Sequence, residues 1–176
     1  SNQVPEEVYD ALVEVVNEKL PLLHRYIALQ QKALGLDELH MYDLYVPITG
    51  DAPIKYNYQE ASLASIEALK PLGEEYNEIM KKAYADRWID VAENIGKRSG
   101  GYSSGAYSTA PYILLNWHDE LSNFFTLVHE LGHSAHSYFT RNTQPKQYGD
   151  YSIFLAEIAS TTNENILTDY LLKKHT

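Results

Sequence analysis

The sequence predicts a mainly α-helical protein with a small β-sheet or hairpin, and three observations carry that reading. Apolar residues recur at helical spacing through most of the chain. One such stretch holds two histidines four residues apart, and a cluster of glycines interrupts the helices between residues 96 and 105.

The first helical stretch runs from Pro5 to Leu34, where Val8, Leu12, Val15, Val16, Leu23, Tyr26 and Ile27 keep helical spacing. Pro21 removes an amide donor and crowds the preceding turn, so two helices or one bent helix are expected. Gly35 ends the stretch. Residues 41–46 (Met-Tyr-Asp-Leu-Tyr-Val) are rich in strand formers and stop at Pro47. The segment 48–57, with Gly50, Pro53 and Asn57, reads as loop. Helices are expected over 58–70 and 72–88, divided by Pro71 and Gly73. Gly96, Gly100, Gly101 and Gly105 then sit among serines and tyrosines as a hairpin. Residues 111–117 (Pro-Tyr-Ile-Leu-Leu-Asn-Trp) read as a short strand, with Pro111 at its start or on a sheet edge. A helix is expected over 119–139, capped by Asn116 or Asp119. A polar link through Asn142, Pro145 and Gly149 leads to a last helix over 151–173. The elements read as one continuous unit.

Bulk composition narrows the function. Asp and Glu number 24 against 14 Lys and Arg, a formal charge of −10. Such a surface repels phosphate backbones and anionic lipid, so neither nucleic acid nor a membrane is an expected partner. Cysteine is absent, which removes disulfides, thiolate zinc sites and cysteine nucleophiles together. Apolar runs are too short to span a bilayer, and the first residues carry no basic-then-apolar leader. The cytoplasm is the expected compartment. Seven of the 15 tyrosines fall in 42–58 and 102–112, where an apolar body with a polar tip suits a wet cleft as well as a core. No feature speaks to oligomeric state.

The chemistry concentrates in one helix. His129, Glu130, Leu131, Gly132 and His133 spell H-E-x-x-H. Residues four apart stand one above the other on a helix, so both imidazoles can share one ion. Imidazole nitrogen suits zinc, and a catalytic zinc keeps one position open. Glu130 is rotated about 100° from His129, beside the ion, where a general base for a water must sit. The surrounding Leu121, Phe124, Phe125, Leu127, Val128 and Leu131 make two merely structural core histidines unusual. Gly132 costs about 1 kcal/mol in mid-helix relative to alanine, which suggests that another backbone comes close there.

Glu157 is the candidate third ligand. It lies in an otherwise apolar helical stretch, Ile153 to Ala159, where an ionised carboxylate needs a partner or a metal. The plain alternative is a salt bridge, with Arg141 and Lys146 the nearest cations in sequence. His136 lies about 10.5 Å along the helix from His129, too far to join the same ion, and reads as packing. Phe139 occupies the place where another zinc-peptidase class carries its third histidine. Glu164, seven residues beyond Glu157, could orient a ligand histidine, although a solvated helix carboxylate is the simpler reading.

Two further patterns compete. Gly101-Tyr102-Ser103-Ser104-Gly105 matches the G-x-S-x-G of serine hydrolases, but that elbow needs a buried strand before it and a helix after it. Gly96 and Gly101 lack the following lysine of a phosphate loop. The hairpin instead reads either as backbone exposed to an extended peptide or as an ordinary loop.

Taken together, residues 96–100 (Gly-Lys-Arg-Ser-Gly), 111–117, 125–136 (Phe-Thr-Leu-Val-His-Glu-Leu-Gly-His-Ser-Ala-His) and 154–164 (Phe-Leu-Ala-Glu-Ile-Ala-Ser-Thr-Thr-Asn-Glu) closely resemble the oligoendopeptidase F family of thimet-oligopeptidase-like M3 zinc metallopeptidases. The resemblance is strongest over 87–172. It implies a mainly helical fold, one catalytic zinc ion, and cleavage inside short, unstructured peptides. Residue by residue, it implies that His129, His133 and Glu157 are ligands and that Glu130 is the base. It also implies that Gly101, Tyr102, Ser103, Ser104, Gly105, Ala106 and Tyr107 line the peptide cleft. Members of that family are much longer, so residues 1–176 are expected to be a single catalytic-core segment of such an enzyme. A non-catalytic, zinc-stabilised helical domain that binds peptides is the alternative.

Overall fold

A computed structural model describes residues 4–49 and 54–175, and its contacts gather into two units, divided between residues 53 and 54. The first unit is built on α1 (Glu6–Leu34), which continues through Pro21 as a single helix. Glu6 and Glu7 lie in its first turn and Lys32 in its last, each complementing the helix dipole. At its end Gly35 adopts φ 67°. The Gly35 and Leu36 amides then donate to the Lys32 and Gln31 carbonyls, at 3.2 Å each.

Residues 41–46 do not extend, despite their strand formers. Met41–Tyr45 is a 3-10 helix. The buried Gln30 side chain donates to the Leu44 and Val46 carbonyls at 3.1 and 3.3 Å, and the His40 amide donates to Asp43 Oδ2 at 2.8 Å. Side chains thus cap this turn at both ends, and local hydrogen bonding overrides β propensity. Residues 54–57 carry no regular structure, while 50–53 of the expected loop lie outside the described residues.

The second unit begins with α2 (Tyr58–Ala68), a 3-10 turn (Lys70–Leu72) and α3 (Glu74–Ala85). Asn57 and Glu60 form a reciprocal capping box at 2.9 and 3.1 Å. Pro71 and Gly73 make the break between the helices, as expected. Three short strands follow: β1 (Ile89–Asp90), β2 (Tyr102–Ser104) and β3 (Tyr112–Leu114). Their order is β1-β3-β2, with β3 parallel to β1 and antiparallel to β2. Pro111 immediately precedes β3, which is the central strand, so its missing amide costs the ladder nothing.

Helices α4 (Leu121–Thr143) and α5 (Ile153–His175) complete the unit. Neither Asn116 nor Asp119 caps α4; its N-cap is Glu120, with no side-chain bond. Asn116 is spent on the glycine segment, donating to the Arg98 and Gly100 carbonyls at 2.8 and 3.0 Å. Asp119 accepts the Trp117 indole N–H at 2.9 Å. The core forms where α4 meets its neighbours: Phe124, Leu127, Val128 and Leu131 pack with Leu69, Met80, Ile113 and Leu167, all fully buried. Among the described residues no helix is long and apolar enough to cross a membrane.

Candidate metal centre

Helices α4 and α5 lie close enough that a Cβ on Gly132 would meet Ser160 Cα at 2.7 Å and the Ala159 carbonyl oxygen at 2.8 Å. This is the backbone approach that a mid-helix glycine suggests. Buried Asn163 reinforces it, donating from α5 to the Val128 carbonyl at 2.9 Å. The contact brings the histidine face of α4 against Glu157.

Three ligand-capable atoms converge there. His129 Nε2 lies 3.1 Å from His133 Nε2 and 3.4 Å from Glu157 Oε2, which is 3.7 Å from His133 Nε2. Zinc bonds of about 2.0–2.2 Å at tetrahedral angles separate their ligand atoms by about 3.3–3.6 Å. The donor set and its spacing therefore fit one ion, and these three residues could hold it. The salt-bridge alternative for Glu157 finds no support in Arg141, whose guanidinium donates to the Gly105 carbonyl at 3.0 Å.

Hydrogen bonds set each donor. His129 Nδ1 lies 2.5 Å from Glu164 Oε1, so Glu164 is not the merely solvated carboxylate favoured by simplicity. Burial lowers the His133 pKa, as does nearby His129, while Glu157 and a hydrogen bond to the Ala156 backbone raise it. The balance is downward, toward the neutral form that ligates. The Ser160 hydroxyl donates to Glu157 Oε2 at 2.8 Å. His136 stands apart: its ring stacks on Tyr151 at 3.8 Å, and burial lowers its pKa.

Glu130 occupies the side of α4 next to the sheet. Its carboxyl pKa is raised by burial, against the lowering effects of His129 and of the Ser103 backbone N–H, which donates to it. Oε2 is buried with no hydrogen-bond partner among the described residues. The strand register explains how Ser103 reaches it. Ile113 donates to the Trp88 carbonyl at 2.8 Å and so faces β1. Its antiparallel partner Ser103 therefore turns its N–H and carbonyl toward the open edge of β2.

The other hairpin residues divide between strand and anchor. Tyr102 and Ser104 expose their side chains on β2. A Cβ on Gly101 would meet Thr126 Cγ2 at 2.8 Å. Gly105 is held by Arg141 as described, the Ala106 amide donates to Thr109 Oγ1 at 2.9 Å, and the Tyr107 hydroxyl donates to the Gln144 carbonyl at 2.6 Å. Gly105 and Tyr107 are thus tied to the far end of α4, and only Ser103 reaches Glu130. The Ser103 hydroxyl lies on a strand and pairs with Ser134 Oγ at 2.8 Å, which is not the strand-to-helix elbow of a serine hydrolase.

Sequence reasoning passed over Ser134, Ser160 and Asn163, all buried. The signal was present: Ser160-Thr161-Thr162-Asn163 is a run of poor helix formers inside a helix, where such side chains commonly bond backbone or neighbours.

Fold and centre together define a helical protein with a candidate metallopeptidase site. The chain belongs to peptidase family M3, whose sequence model matches residues 1–176. It is 61% identical over 172 residues to oligopeptidase PepF of Bacillus subtilis, covering 98% of this chain and 26% of that protein. It is 59% identical over 174 residues to group B oligopeptidase PepB of Streptococcus agalactiae, covering 99% and 29% respectively. A crystal structure from Chlamydophila abortus superposes with a TM-score of 0.84 at 42% identity, over 99% of this chain and 29% of that one. Oligoendopeptidase-F from Enterococcus faecium matches with a TM-score of 0.59 at 44% identity, over 99% and 23%. The chain thus spans 26% and 29% of the lengths of these two curated relatives.

Proposed function

We propose that residues 1–176 are the catalytic-core segment of a zinc-dependent endopeptidase that hydrolyses internal bonds of short, unstructured peptides. The observation that carries this reading is the convergence of His129 Nε2, His133 Nε2 and Glu157 Oε2 within 3.1–3.7 Å of one another, beside a buried carboxylate. The names of the relatives, oligopeptidase and oligoendopeptidase, support peptides as the substrate class.

In this account His129, His133 and Glu157 would hold one zinc ion. When bound, the ion supplies Lewis acidity to the scissile carbonyl and to the attacking water. Glu130 takes the proton of that water through its unpartnered oxygen and passes it to the amine nitrogen as the C–N bond breaks. The Ser103 amide steadies the carboxylate during both transfers. Gly101 to Tyr107 contact the substrate: the Ser103 carbonyl on the outward edge of β2 is offered to an extended peptide, while the Arg141 and Tyr107 anchors hold the hairpin in place.

Replacement of Glu130 by glutamine tests the assignment. Zinc content should be retained while the peptide-cleavage rate falls by at least about two decades. Near-normal turnover in that variant would remove Glu130 from its role.

A further inference from the structure

Histidine ligands need their second nitrogen fixed if the first is to face a metal, and His129 is held between two carboxylates of one helix. Glu157 and Glu164 stand seven residues apart on α5, which puts them on nearly the same face about 10.5 Å apart along the axis. The His129 ring spans the gap between them. Its Nε2 lies 3.4 Å from Glu157 Oε2 and its Nδ1 lies 2.5 Å from Glu164 Oε1.

We infer that Glu164 is a positioning residue for the centre: its carboxylate engages His129 Nδ1 and thereby turns the Nε2 lone pair toward the point shared with His133 and Glu157. This inference rests on the zinc-site reading above and adds to it a residue that never touches the ion. A carboxylate oxygen that accepts from Nδ1 leaves Nε2 as the ring nitrogen with a lone pair to offer.

The backbone beside this pair is locked in the same register. Asn163, adjacent to Glu164, donates to the carbonyl of Val128, adjacent to His129, at 2.9 Å. Asn163 Oδ1 in turn accepts the Tyr76 hydroxyl at 2.9 Å. Residues 163 and 164 of α5 therefore meet residues 128 and 129 of α4 one to one, and the Glu164 carboxylate cannot drift along the helix without breaking a buried bond. A solvated surface glutamate has no such constraint.

The test compares zinc affinity, by chelator competition on the full chain, in the wild type and in Glu164→Ala, Glu164→Gln and His133→Ala. Glu164→Ala should weaken zinc binding about 10–100-fold. Glu164→Gln, which keeps an acceptor oxygen and nearly the same shape, should lose less. Nitrogen-15 NMR of the metal-free wild type should show His129 protonated at Nδ1 and bare at Nε2, a signature that a merely structural glutamate would not set. Equal affinity in the wild type and both Glu164 variants overturns the inference, as does a wild-type His129 that carries its proton on Nε2. If the wild type binds no zinc, or His133→Ala binds it equally well, the zinc-site reading itself fails, which is a different outcome.

Discussion

Gly132 of α4 and Ser160 of α5 stand so close that a methyl group on the glycine would lie 2.7 Å from the Ser160 Cα. The atoms in its path are backbone, which cannot swing aside as a side chain can. Gly132→Ala should therefore push α5 away from α4, with an overpacking cost of about 1–3 kcal/mol. Since Glu157 rides on the displaced helix, zinc affinity should fall in parallel. Urea unfolding and chelator competition on the same variant check both parts; a variant that keeps its stability and its zinc refutes the coupling.

Ligand assignment predicts a contrast between two single changes. Glu157→Ala should lose tightly bound metal, whereas His136→Ala should keep it, because the His136 ring is stacked on Tyr151 at 3.8 Å and lies outside the convergent group. Metal content after dialysis distinguishes them, and the reverse pattern would reassign the third ligand.

Asn163 is buried in the interface of α4 and α5, with its amide on Val128 and its oxygen on Tyr76. Asn163→Leu leaves the Val128 carbonyl without this donor and strands the Tyr76 hydroxyl in an apolar setting. Each orphaned group costs about 1–3 kcal/mol. The expected outcome is a lower urea midpoint with an unchanged slope; an unaffected midpoint would show that the pair bears no share of the stability.

Much of this was legible in the chain, and the exceptions have physical causes. The H-E-x-x-H spacing put both imidazoles on one face, and Gly132 in mid-helix announced a close backbone neighbour. Glu157 stood out as an acid in an apolar stretch, although that stretch is itself largely exposed, with Phe154, Leu155 and Ile158 facing outward. Met41–Tyr45 misled because its strand formers are overruled by Gln30, a residue eleven positions earlier whose side chain caps the turn. Asn116 and Asp119 misled for a related reason: the sequence shows a capping residue, but not that the glycine segment and Trp117 claim it first. Glu164 has the same composition signal as any exposed helix glutamate, and only the packing of α5 on α4 shows that its carboxylate meets His129.

Alkaline pH should destabilise the fold through partly buried phenols. Burial raises the Tyr76 pKa to about 12, with the Asn163 hydrogen bond opposing it, and burial also raises Tyr84. An unfolded tyrosine ionises near about pH 10. Between that value and about 12 the folded chain keeps protons that the unfolded chain has lost, so stability falls as pH rises. Urea midpoints should drop from about pH 9 to about pH 11, and less steeply in Tyr76→Phe. An equal drop in that variant would contradict a contribution from Tyr76.

Crystals grown with zinc and measured on either side of the zinc absorption edge would locate the ion without reference to activity. The account predicts one strong anomalous peak within about 2.0–2.2 Å of His129 Nε2, His133 Nε2 and a Glu157 oxygen. A peak elsewhere, or a peak that touches the histidines but leaves Glu157 out of coordinating reach, would contradict it.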